Sequence, residues 1–307
     1  MPGGTTVTGG YLFKDPPKYY EEAATGFASV ITNASASGIF GLVQGIEIDV
    51  DPDTQEFRKV GSEDPYANVI GKVGVKWRIT FGIVNTSSTF MNLCTKPEAN
   101  ASSDISRPIH IVWSQRLADT GSTQTTTYYA LRGCRPNSIS FDGKAGSPIT
   151  AVVEGFAHSL TFTAVASAFQ ATGFAAEPSD APWNYEDGGA SPITIFGNAG
   201  HNVTEFSWTV DRGIKPIYVL GASNVAKMPP TIRSITGNFM VIHESVSSFI
   251  ADSLLTATVG TISWVMKTSA GTPVFSSATL ISHSLPQTVA DETYERIGFR
   301  CLNMSTY

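Results

Sequence analysis

Polar and apolar positions alternate along most of this chain. In Gly45-Ile46-Glu47-Ile48-Asp49-Val50-Asp51 the two Ile and the Val fall on one face and the carboxylates on the other. That is the two-residue period of a half-buried strand. Residues 75–81, 138–141, 150–156, 204–210 and 261–266 alternate in the same way. Gly, Pro, Asn, Asp and Ser fill the intervals, which is turn chemistry. Helical signals are few. Ser248 is placed to cap a run over 249–255, and Pro16-Pro17 to open a short turn through Glu21 and Glu22. The pattern predicts a mainly β chain with small helices.

The strands come in a repeated order. A block Phe57-Arg58-Lys59-Val60-Gly61, a strand at 75–81 and the run Ser87-Ser88-Thr89-Phe90-Met91 has a downstream counterpart. It consists of Ile217-Tyr218-Val219-Leu220-Gly221, a strand at 235–241 and Val246-Ser247-Ser248-Phe249-Ile250. The offsets are 221 − 61 = 160 and 249 − 90 = 159. Each half then has a Trp-bearing strand (109–115 and 261–266), a turn with Gly121 or Gly271, and a strand closing in Gly-Phe (Gly155-Phe156 and Gly298-Phe299). The offset shrinks along the chain, which places the extra residues of the first copy in 95–107 and around 143–148. A duplicated unit is therefore expected, with residues 1–165 as the first domain and its N-terminal arm, 201–307 as the second, and 166–200 as a linker or long loop. The linker reading rests on the Ala, Gly, Pro and Asp richness of 170–200, which also holds Trp183 and Tyr185.

Composition narrows the function. Of 307 residues 42% are hydrophobic, which excludes wholesale disorder, and only 15% are charged, which argues against a coiled coil. Twenty Lys and Arg against 26 Asp and Glu give a net charge of −6, the wrong sign for a protein that grips nucleic acid through counterion release. Cys94, Cys134 and Cys301 are odd in number and far apart, so they read as buried thiols and not as a disulfide framework or a zinc site. The five histidines form no metal-binding pair, and the zincin, Walker and nucleophile-elbow motifs are missing from the sequence. No catalytic, cofactor or metal residues are expected. Nor is a signal peptide or a membrane span.

The segment from Gly133-Cys134-Arg135-Pro136-Asn137-Ser138 through Gly143 to Val153 resembles the closing hairpin of the tail tube proteins (major tail proteins) of tailed viruses. Asn202-Val203-Thr204, the Gly221-Ala222-Ser223 turn, Pro229-Pro230 and the strand carrying Gly237-Asn238-Phe239 resemble that family's central block. In the first half Lys76-Trp77-Arg78 stands where the second has Thr236-Gly237-Asn238, and no double proline precedes it. The resemblance implies two tandem β-sandwich or barrel domains, each with a short flanking helix, in a non-enzymatic virion protein made in the host cytoplasm. It further implies self-assembly into stacked rings that form a conduit for the viral genome. With two units per chain the ring is a trimer of six pseudo-equivalent domains (2 × 3 = 6), or a hexamer if the duplication is wrong. DNA would pass without specific binding, no membrane is involved, and tape-measure, tail-terminator and baseplate proteins would be the contacts.

Within that frame Glu47, Asp49 and Glu205, on polar strand faces, are candidates for the lumen wall. Tyr19, Tyr20, Glu21, Asn100, Trp183 and Tyr185, in the arm and long loops, are candidates for contacts between rings. Two other functions are open to a β-rich chain. A glycan-binding module or adhesin would use exposed aromatics, for which Trp183 and Tyr185 are the loop pair, and a glycoside hydrolase would use Glu47 or Glu154.

Overall fold

The alternating segments fold as strands, and burial follows their period. In the computed structural model, residues 11–21, 37–58, 65–95, 108–117, 126–164, 180–189, 193–199, 202–242, 258–267, 272–284 and 294–305 are described. The first set of strands is β1 (Tyr11–Glu21), β2 (Ser37–Ile39), β3 (Leu42–Arg58), β4 (Pro65–Gly82), β5 (Ile109–Leu117), β6 (Thr126–Lys144), β7 (Thr150–Ala157) and β8 (Ser159–Thr163). The second is β9 (Ile193–Ile195), β10 (Val203–Asp211), β11 (Ser234–Ile242), β12 (Val259–Trp264), β13 (Val274–Ser284), β14 (Tyr294–Cys301) and β15 (Asn303–Ser305). The mainly β expectation is met. In β10, for example, Phe206, Trp208 and Val210 are buried while Ser207, Thr209 and Asp211 face out.

The pairings of the second set repeat those of the first. β3 pairs β4, β4 pairs β7, β7 pairs β6, and β6 also pairs β5 and β8. Strand for strand, β10 pairs β11, β11 pairs β14, β14 pairs β13, and β13 also pairs β12 and β15. β1 lies against β5 as β9 lies against β12. The registers carry the correspondence to single residues. Ile48 faces Trp77 and Trp208 faces Gly237, an offset of 160 on both strands (208 − 48 and 237 − 77). For β6–β8 against β13–β15 the offset is 144, as in Ser138↔Glu154 against Ser282↔Gly298 (282 − 138 and 298 − 154).

The irregularities recur too. β6 is bulged between Pro136 and Ser138, and β13 between Leu280 and Ser282. β5 is bulged between Ile109 and Ile111, and β12 between Gly260 and Ile262, an offset of 151. Gly133 has φ 60, and the residue 144 places on, Ser277, has φ 53. An extra residue in a left-handed conformation kinks a strand and increases its twist, and here it falls where β6 passes from β8 to β7 and where β13 passes from β15 to β14. Large and small side chains are exchanged at one equivalent pair. Trp77 lies opposite Gly155, where a Cβ would come within 2.6 Å of the indole, and Gly237 lies opposite Phe299, where a Cβ would come within 2.5 Å of the ring.

Four sequence expectations change. The pairing aligns Gly155 with Phe299 and not with Gly298, because a one-residue slip would turn every side chain to the wrong face. The β6–β7 loop at 143–148 keeps its length, since the offset is 144 on both sides, so the second insertion of the first set lies between β5 and β6. Pro16-Pro17 sit inside β1, where register shifts at Phe13/Asp15 and Asp15/Lys18 absorb the donors that proline lacks. Residues 180–189 are packed and not a free linker: Trp183 is wholly buried, its N–H bonds Ile83 O at 2.7 Å, and its carbonyl accepts from Ile149 N at 2.8 Å.

One continuous apolar core runs through both sets. The helix α1 (Ser88–Thr95) buries Phe90, Met91, Cys94 and Thr95, and Phe90 packs on the rings of Tyr19 and Phe40 at 4.9 and 4.5 Å. The run after Ser248 lies outside the described residues. All three cysteines are buried thiols, and burial pushes Cys301 up to about 12.

Candidate assembly interface

The two sets meet edge to edge. β6 and β10 form an antiparallel ladder from Lys144↔Glu205 to Ser138↔Asp211, so the strand order β3-β4-β7-β6-β10-β11-β14-β13 is unbroken. Phe141 and Trp208, opposite each other in the ladder, stack at 4.0 Å on the core side. Beside it, the segment between β10 and β11 folds back over the first set. Ile214, Val225 and Met228 pack there with Phe156 and Tyr218. Val73 N–H donates to Ser223 O at 2.8 Å, buried Arg135 donates to Met228 O at 2.6 Å, and His158 donates to Val225 O at 2.7 Å. Asn137 caps the contact by accepting from Ile214 N at 2.6 Å.

The outward face of this sheet is mostly polar, with Val152, Phe156 and Met240 among its apolar positions. Glu47, Arg78, Glu154, Ser138 and Asp211 follow one another along a single cross-strand row. The sequence candidates Glu47, Asp49 and Glu205 all lie on this face, which is what alternation requires. They do not form a bare acidic wall. Arg78 reaches Glu47 at 3.6 Å and Glu154 at 3.4 Å, Lys144 holds Glu205 at 2.6 Å, and Lys76 stands opposite Asp49. The Arg78 and Lys144 pairs are solvent-exposed and contribute little to stability, roughly 0–1 kcal/mol each, but they engage those two cations with carboxylates. A groove of about 730 Å³ lies on the same face, bordered by Asp142, Lys144, Glu205, Asn238, Met240 and Arg296.

Two edges of the sheet have no described partner strand. β3 pairs only β4, and β13 beyond Thr279 pairs only β14. Burial records the difference. Val210 of β10 is 0% exposed, whereas its counterpart Val50 on β3 is 43% exposed.

The aromatic candidates for ring contacts fall elsewhere. Tyr19 is 2% exposed and belongs to the core. Tyr20 packs on Val112 and Ala130, and its burial raises its pKa. Trp183 is buried and donates through its indole to Asn85, and the Tyr185 hydroxyl donates to Val203 O. Trp183 therefore offers no surface to a neighbour or to a sugar. Glu21 takes part in β1, and Asn100 lies outside the described residues. Sequence reasoning missed the edges themselves and the apolar Ile232, Ile281 and Leu302, which are 86%, 54% and 73% exposed. Ile281, on β13, reads from sequence like a buried strand residue, and Ile232 and Leu302 lie just outside β11 and β14.

The chain is mainly β, with ion pairs on the polar face of its sheet and two edges without a described partner strand. The family model described as phage tail tube protein matches residues 112–295, and the chain belongs to that family. Its role is structural, in the tail tube of the virion tail. Among solved structures the chain is similar to a protein in the tail of an empty GTA particle, refined helically with C6 symmetry, at 9% identity and a TM-score of 0.33, over 40% of this chain and 98% of that one. No curated protein matches the chain. No described helix is long and apolar enough to cross a membrane.

Proposed function

We propose that the chain carries two copies of one tube unit and that three chains close into a ring with six pseudo-equivalent units, which stacks into the tube. The observation that carries this reading is the strand-for-strand recurrence of pairing, register and bulge in β3–β8 and β10–β15. The β6·β10 ladder is then a ring joint made within one chain. A lateral contact that closes after a fixed rotation gives a ring, and an axial contact that does not close gives a tube.

In this reading the polar sheet face lines the channel. Arg78 and Lys144 are already engaged with carboxylates and the chain carries a net charge of −6, so a passing duplex meets little net positive charge and slides without being held. The protein works as a conduit; Arg78 contacts both Glu47 and Glu154, so neither of the carboxylates named for a hydrolase stands as a free side chain. Axial contacts come from the apolar tip between β10 and β11, where Leu220 is fully exposed, with Asn100 kept as a candidate from the sequence. Tape-measure, terminator and baseplate proteins would meet the same ring rims. Electron microscopy of the purified chain tests the proposal: rings or tubes with a central bore support it, and a monodisperse monomer at all concentrations contradicts it.

A further inference from the structure

Building on the ring reading, we infer which edges join one protomer to the next and in which register: β13 of one chain pairs with β3 of its neighbour, Ser282 opposite Asp51, His283 opposite Val50 and Ser284 opposite Asp49. The joint inside the chain sets the register. β6 and β10 pair with Ser138↔Asp211, Ile139↔Val210 and Ser140↔Thr209. The 144-residue offset carries β6 onto β13, and the 160-residue offset carries β10 back onto β3. Both resulting edges are the ones that lack a described partner. A ladder with unpaired N–H and C=O groups is a template for another strand.

Three further observations converge on the same joint. At the internal joint the β10–β11 segment touches the first set at Lys72, Asn137 and His158: Lys72 lies 5.6 Å over the Tyr218 ring, and the other two bond its backbone. The counterparts of these residues are Ile232, Ile281 and Leu302, all three of them exposed apolar residues. They form the seat on which the neighbour's β3–β4 segment would rest. Val50 is exposed on β3, where Val210 is buried by the internal joint. Charge is complementary as well. Across the proposed joint one row reads Arg296, Ser284, then Asp49 and Lys76 of the next chain, with the Arg and the Asp separated only by a serine. At the internal joint the matching row is Val152, Ser140, Thr209 and Thr236, which is uncharged. The contact between chains is thus distinguishable from the contact within one.

The experiment uses the full chain with Asp49→Cys and Ser284→Cys together, assembled, oxidised, denatured and run on a non-reducing gel. The internal pair Ser140→Cys with Thr209→Cys is the geometric control, and the native thiols are buried and silent. The expected result is a covalent ladder that ends at three chains, absent from either single variant, while the control bridges within one chain. Tubes visible by microscopy and a bridged control without the intermolecular bond would overturn the joint while leaving the ring reading intact. Failure of the unmodified chain to form rings would overturn both. A readout free of cysteine chemistry is charge reversal: Arg296→Glu lowers assembly at low salt by tenfold or more, and adding Asp49→Lys restores it. No rescue by the second change would also contradict the register.

Discussion

At the scale of single residues, one left-handed position recurs in both sets of strands. Gly133 adopts φ 60 without penalty, while Ser277 accepts φ 53 in the equivalent bulge. A left-handed conformation costs a residue with a Cβ about 1–2 kcal/mol. Gly133→Ala should therefore lower unfolding free energy by about that amount, and Ser277→Gly should be neutral or slightly stabilising; denaturant titration of both variants checks the asymmetry. His110 is buried, and burial, with Arg132 nearby, lowers its pKa to about 4. A histidine kept neutral in the fold takes up protons on unfolding, so stability is complete above its unfolded value of 6.5 and is lost as pH falls toward 4. The loss is on the order of 3 kcal/mol, at about 1.4 kcal/mol per unit. His110→Phe should flatten that part of the stability profile, measured by denaturation between pH 4 and 7. Single residues were unevenly legible in the sequence. Alternation was enough to put Glu47, Asp49 and Glu205 on one face. Tyr19 and Trp183 were misplaced because an aromatic in a stretch rich in Pro, Gly and Ala reads the same whether it anchors the core or an interface.

At the scale of elements, strands were legible because their period is local, while the joints between them were not. The 160-residue spacing of Gly61 and Gly221 already contained the true offset of β3 and β4, since loop glycines and strand periods shift together. Gly155-Phe156 and Gly298-Phe299 misled by one position, because a shared dipeptide does not say which of its residues points inward; only the partner strand does. The segment at 180–189 read as a linker because its contacts, such as Trp183 N–H to Ile83 O, join residues a hundred positions apart. Loop tips and sheet edges belong to different contacts in this account, and the two can be separated. Leu220→Asp, on the exposed tip between β10 and β11, should shorten or abolish tubes while leaving rings, as sedimentation and microscopy would show. Loss of rings as well would place that tip in the lateral joint.

At the scale of the whole molecule, the chain has one joint completed internally and two sheet edges without a described partner strand, and in the proposed ring further copies of the chain complete them. Salt should act on the joint between chains and spare the one within. Ring formation should weaken as ionic strength rises, because the Arg296 to Asp49 row is solvent-accessible and screened over about 8–10 Å, while the unfolding midpoint of the monomer stays nearly fixed. The most direct test of the two-unit account is the number of chains per ring, read from a cryo-microscopy map of the assembled tube. The account predicts three chains per ring, with six similar lobes around the bore and alternate joints formed within and between chains. Six chains per ring, each contributing one lobe, would contradict it.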